Sequence, residues 1–170
     1  MVKGKQYECL LQQEINSNMQ WELMLENDGL TVVDVYSEWC GPCAAMKSCL
    51  RKIKHRLNEY TLNFAVAKSD NIKYLEIFRD RSEPTWLFIA GRQIVNIMYG
   101  ANSPKLMQLI IEEIKKEIAV KAGIRERADL QITDLPEEII YEEESVEELP
   151  EINEVKSEMD LDEEYIYRPF

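Results

Sequence analysis

Leu30-Thr31-Val32-Val33-Asp34-Val35-Tyr36-Ser37-Glu38-Trp39-Cys40-Gly41-Pro42-Cys43 decides the fold. Its first seven residues are a β-branched run bounded by Asp28-Gly29, the pattern of a buried strand. Ser37-Glu38 then leads into two cysteines separated by Gly-Pro, which can face one another as thiols or close into a disulfide. Beyond them Met46, Leu50, Ile53 and Leu57 recur at helical spacing, so a helix with one apolar stripe is expected to about Leu57. Strand, paired cysteines and helix in this order form a redox motif. A helix N-terminus supplies unpaired N–H groups and a partial positive charge, which would stabilise a thiolate at Cys40. Cys40 is the expected nucleophile at the helix start, and Cys43, one turn inside, would resolve the mixed disulfide. Pro42 is expected early in the helix, where its missing N–H costs little. Gly41 tolerates the turn, and Trp39 offers a flat apolar surface beside the pair. The competing readings are zinc and a spent site kept only as structure. Structural zinc needs four ligands. No second Cys-x-x-Cys or His-x-x-x-His is present, and His55 is the only histidine. Both cysteines being intact argues against a spent site.

Asp34 is the second signal. A carboxylate inside Val32-Val33-Asp34-Val35 stands where a buried strand wants apolar side chains, and its pKa should be raised unless it is paired. Cys49, about 240° around the helix from Cys43, lies off the active face and reads as a core thiol, as does Cys9. Lys47, Arg51, Lys52, Lys54, His55 and Arg56 make the other side of this helix basic. That is either a solvated face or a docking surface for acidic groups.

The 170 residues fit one domain and an extension. The net charge of −12 is an uneven average. Residues 1–128 hold 18 Lys+Arg and 16 Asp+Glu, whereas residues 129–170 hold 2 and 16. The expected division is therefore a near-neutral domain at 1–128 and an acidic tail at 129–170. The tail keeps apolar clusters such as Ile139-Ile140-Tyr141 and Tyr165-Ile166-Tyr167, and reads as either partner-docking or disordered. Nothing in the domain's charge supports nucleic-acid binding. No apolar stretch approaches the roughly 20 residues of a membrane span, and the N-terminus lacks the apolar core of a secretory signal. Four cysteines in such a chain argue for reduced thiols with one functional pair.

Along the chain, a first strand is expected within 6–15, and a helix capped by Ser17 or Asn18 carrying Trp21, Met24 and Leu25. A third strand is expected over 61–67 and a short helix near 71–78. Thr85–Ile89 and Gln93–Met98 read as a hairpin through Ala90-Gly91-Arg92. Ser103-Pro104 reads as an N-cap followed by Pro at the first helical position. The last helix carries Leu106, Ile110, Ile114 and Ile118 and stops near Gly123.

With Asp34, Cys40-Gly41-Pro42-Cys43, Lys68, Glu83-Pro84-Thr85, Gly91 and Gly100 in this order, residues 1 to about 121 resemble the thioredoxin family. The resemblance implies an α/β fold, a mixed sheet with helices on both faces. It implies that Asp34 sits behind Cys43 and accepts its proton, that Lys68 pairs with and tunes Asp34, and that Pro84 is a cis-proline facing Cys40. Substrate contact is implied at Trp39, Gly41, Pro42, Glu83, Thr85 and Gly100. Three residues depart from the pattern. Ala44 and Ser48 replace a lysine and a helix-kinking proline, and Glu83 replaces an apolar residue. A carboxylate facing Cys40 would oppose its thiolate and repel acidic substrates.

Within the family, Gly29–Tyr36, Leu62–Ala67, Glu83-Pro84-Thr85 and Gly100-Ala101-Asn102-Ser103-Pro104 are most similar to the axonemal thioredoxins. These are ciliary and flagellar proteins associated with dynein arms and other axonemal complexes. Several continue into nucleoside diphosphate kinase domains, which are not expected here. The expected function is thus an axonemal subunit with a redox-active dithiol, a protein-disulfide reductase in chemistry. Its partners would be dynein or a microtubule-associated complex, with tubulin contact, in the cytoplasm and the axoneme of a cilium or flagellum. The alternatives are a free cytosolic thioredoxin reducing protein disulfides and a redox-silent interaction module. No cofactor, metal, nucleic acid or membrane is expected.

Overall fold

The computed structural model describes residues 11–130. Within them lie five strands: β1 (Gln13–Ile15), β2 (Leu30–Tyr36), β3 (Leu62–Lys68), β4 (Thr85–Ala90) and β5 (Gln93–Tyr99). They form one sheet in the order β1-β3-β2-β4-β5. β1 and β2 run parallel to β3, whereas β4 runs antiparallel to both β2 and β5. The expected mixed sheet is therefore present. β2 and β4 are apolar on both faces because both faces are covered. β5, at the edge, is only partly buried.

Alternation along the strands sends side chains to two cores. On one face Leu30, Val32, Phe64, Trp86 and Phe88 pack with Leu50 and Ile53 of α2 (Lys47–Arg56) and with Leu106 and Ile110 of α3 (Ser103–Lys121). On the other, Val33, Val35, Leu87 and Ile89 pack with Trp21 and Met24 of α1 (Asn18–Leu25) and with Leu75 and Phe78. Ser17 caps α1, its side chain accepting from Gln20 N–H. The expected short helix near 71–78 is two 3-10 segments, Ser69–Asn71 and Lys73–Phe78.

Several expectations are corrected. The first strand is confined to Gln13–Ile15 among the described residues; residues 6–10 and Cys9 lie outside them. The cap of α3 is Asn102, whose side chain accepts from Lys105 N–H, because Asn102 holds extended backbone while Ser103 is already helical. Ser103 instead places its hydroxyl 3.2 Å from Met46 Sδ. Ile118 is 43 % exposed, and Glu113 and Glu117 are buried in its stead. They are buried because they are partnered: Glu113 by Asn96 and Lys116, Glu117 by Arg127. The tail from residue 131 lies outside the described residues.

Candidate redox site

Asp34 is the third member of the Leu30-Val32-Asp34 row, so the pleat aims it at the face that carries α2. It is fully buried. Its Oδ2 accepts the Cys43 N–H at 2.8 Å, and its Oδ1 is buried with no partner among the described residues. Burial pushes the carboxyl up to about 6, against the Cys43 hydrogen bond and the charge of Lys47, which both lower it. Burial likewise raises the Cys43 thiol; the N–H groups of Met46 and Ala45 oppose that rise, and the charge of Asp34 adds to it. A buried carboxyl and a half-buried thiol, both resisting ionisation, thus lie side by side with one oxygen free to take a proton.

The cysteine pair is not at the helix start as expected. A 3-10 turn occupies Ala44–Met46 with Cys43 as its cap, and α2 begins only at Lys47. Gly41 takes φ +68°, and the residue before a proline is barred from helical backbone. Cys40, Gly41 and Pro42 therefore form a turn ahead of the helix. Within it the Ser37 carbonyl accepts the N–H of Cys40 (3.1 Å) and of Gly41 (3.0 Å), and the Cys40 thiol donates to the same oxygen at 3.3 Å. Cys40 is exposed, Cys43 half-buried, and both are free thiols. Trp39 stands 62 % exposed beside them. Cys49 is a third free thiol, packed against the core.

Two implied partners are corrected. Lys68 does not pair with Asp34: its ammonium lies 2.8 Å from Glu38 Oε1. The register explains this, since Lys68 stands opposite Tyr36, one pleat period beyond Asp34 and at the mouth of the loop that carries Glu38. The cation that acts on Asp34 is Lys47. Pro84 is not cis, as no peptide bond among the described residues is; the bond takes the trans isomer that X-Pro favours by about 0.5–1 kcal/mol.

Pro84 still anchors the second loop of the site. Its carbonyl accepts Gly100 N–H at 2.9 Å, while Gly100 takes φ +82° and its carbonyl accepts from Trp86 Nε1 at 3.1 Å. Glu83 Oε2 reaches the space beside Gly100; burial raises the Tyr99 hydroxyl pKa, the Arg81 charge opposes that rise and the Glu83 charge adds to it. The Thr85 hydroxyl is buried without a partner among the described residues. Val35 pairs with Thr85, so this loop and the cysteine loop leave the same end of the sheet.

Sequence reasoning missed what supports the cysteine loop. Asp70 Oδ2 accepts Glu38 N–H at 2.8 Å, Ser69 donates to the Tyr36 carbonyl at 3.1 Å, and Ser37 Oγ accepts Asp80 N–H at 3.1 Å. The signal was Ser69-Asp70-Asn71 directly after a strand, residue types that bond loop backbone. Among the described residues no three His, Cys, Asp or Glu side chains cluster as a metal site, and no helix is long and apolar enough to cross a membrane.

The family model for thioredoxin matches residues 12–113. The chain belongs to the thioredoxin family. It is 42 % identical over 161 residues to thioredoxin domain-containing protein 3 of Homo sapiens, covering 91 % of this chain and 27 % of that protein. It is 43 % identical over 143 residues to thioredoxin domain-containing protein 6 of Xenopus laevis, covering 84 % and 22 %. The chain thus spans about a quarter of the length of these relatives. Among solved structures, the thioredoxin of Trypanosoma brucei brucei superposes with a TM-score of 0.51 at 25 % identity, over 68 % of this chain and 99 % of that one. Cys40 and Cys43 lie near the active-site position of the thioredoxin domain.

Proposed function

We propose that the chain is a thiol–disulfide oxidoreductase domain that reduces protein disulfides and serves a ciliary complex. The observation that carries the chemistry is the buried Asp34 carboxyl, hydrogen-bonded to the Cys43 N–H beneath an exposed Cys40. Cys40, as thiolate, attacks one sulfur of a client disulfide. A mixed disulfide forms, and the client's other sulfur leaves as a thiolate that takes a proton. Cys43 passes its proton to Asp34 and attacks the Cys40 sulfur. The Cys40–Cys43 disulfide forms and the client's second thiol is released. The client gains two electrons and the dithiol loses them; an external dithiol restores the pair. At neutral pH Cys40 is expected to be alkylated first, because it is the exposed member of the pair. Oxidation is expected to join Cys40 to Cys43, and Cys40→Ser to abolish reduction of insulin. Peptide mapping that finds Cys49 or Cys9 in the principal disulfide overturns the assignment.

The ciliary placement is supported by the axonemal-type segments named above and by the similarity to thioredoxin domain-containing proteins 3 and 6. In this reading dynein or a microtubule-associated complex is the partner. The tagged chain in a ciliated cell is expected to stay with detergent-extracted axonemes. Full release with the cytosol would favour a free thioredoxin.

A further inference from the structure

The solvent side of α2 is a stripe of basic side chains. Lys47, Arg51, Lys52, His55 and Arg56 are all exposed. At 100° per residue they fan across the half of the helix opposite Leu50 and Ile53. The helix contains no acidic residue. Lys47–Arg51 is a like-charge pair at i,i+4, an arrangement that disfavours the helix unless something neutralises it. Among the other cations of the described residues, Lys68, Arg79, Arg92, Lys116, Lys121 and Arg127 each hold a carboxylate. Lys47, Arg51 and Arg56 hold none among the described residues; the nearest partner of Arg56 is Met107 Sδ at 3.6 Å. The stripe runs about 14 Å along the helix axis. One end is the redox pair itself, where the charge of Lys47 acts on Asp34. The other end is the Arg56–Met107 contact with α3.

We infer that this face of α2 docks an acidic segment of the client protein and so presents the client's disulfide to Cys40. The inference rests on the redox reading above and names its substrate class. A stripe of this length spans about four residues of extended peptide, enough for a short Glu- or Asp-rich run. Nucleic acid is the poorer occupant, because residues 1–128 are near neutral, with 18 Lys+Arg against 16 Asp+Glu.

The test uses the full chain and two synthetic peptides. Each carries a ring closed by a non-reducible thioether and is flanked by either five glutamates or five glutamines. Fluorescence anisotropy in about 20 mM salt is expected to show the glutamate peptide binding roughly tenfold tighter, and the gap should close by about 0.3 M salt. Arg51→Glu/His55→Glu should abolish the gap without changing binding of the glutamine peptide. The milder Arg51→Gln/His55→Gln should narrow it, should the reversal variant not fold. Equal binding of both peptides, a gap that survives charge removal, or displacement by an oligo-dT of equal charge overturns the proposal. Disulfide-closed versions separate the two readings. If the thioether peptides discriminate but the disulfide peptides are not reduced, docking stands and the redox function falls. If reduction proceeds equally for both and binding is equal, docking falls and the redox function stands.

Discussion

Asp34 carries a stability cost that its chemistry requires. Its ordinary pKa is 3.8 and burial raises it to about 6. Between these values the folded chain binds more protons at this site than the unfolded chain, so stability falls as pH rises from 3.8 to 6 and stays reduced above. A shift of this size corresponds to about 3 kcal/mol as a ceiling. Asp34→Asn should therefore unfold at higher urea than wild type at pH 7, and the advantage should vanish below about pH 4, where the carboxyl is protonated in both states. The same variant should slow disulfide reduction roughly tenfold or more, since Cys43 loses its proton acceptor. A variant no more stable at pH 7 would mean that Asp34 is not desolvated as described. The residue was legible in the sequence, because a carboxylate inside a β-branched run has few bland explanations. Its neighbours were less legible. Lys68 was assigned by resemblance, and the strand register delivers it to Glu38. Lys47, the cation that acts on Asp34, could be found only once α2 was packed over the sheet.

At the scale of elements, the apolar stripes of the sequence and the buried rows of the structure agree. Met46, Leu50, Ile53 and Leu57 are buried, and so are Leu106, Ile110 and Ile114. Termini were harder, because they are set by single bonds rather than by periodicity. Gly41-Pro42 delays the helix start, and the Asp34–Cys43 bond, nine residues apart in sequence, holds the delayed turn in place. The start of α3 tests this sensitivity. Asn102→Ala should cost about 1 kcal/mol in urea unfolding, because the Lys105 N–H loses its acceptor. Ser103→Ala should cost less than about half of that, since its hydroxyl contacts only a thioether. The reverse order would restore Ser103 as the cap. Ile118 follows the helical period yet is exposed, because the acids beside it gain buried partners that no periodicity reveals.

For the molecule as a whole, the segment after α3 closes back on the sheet. Arg127 grips Glu117 through two hydrogen bonds, at 3.0 and 2.8 Å, and Leu130 N–H donates to the Ile94 carbonyl of edge strand β5 at 2.8 Å. The guanidinium rests against Gly91, where an added Cβ would collide with it. Gly91 also holds φ +52°. Two costs should therefore follow from Gly91→Ala: roughly 1 kcal/mol for left-handed backbone, and a further cost for displacing a guanidinium that Glu117 holds through two hydrogen bonds along one edge. Arg127→Ala should by itself cost about 1–3 kcal/mol, because it leaves the buried Glu117 carboxylate unpaired. If the collision is real, the two changes are not additive. In the Arg127→Ala background, Gly91→Ala should cost only its backbone share, and the coupling should exceed about 0.5 kcal/mol. Urea unfolding of the wild type, both single variants and the double variant measures this directly. Strict additivity would mean that Arg127 does not lie over the β4–β5 turn, and the sheet edge would then lose the cover assigned to it.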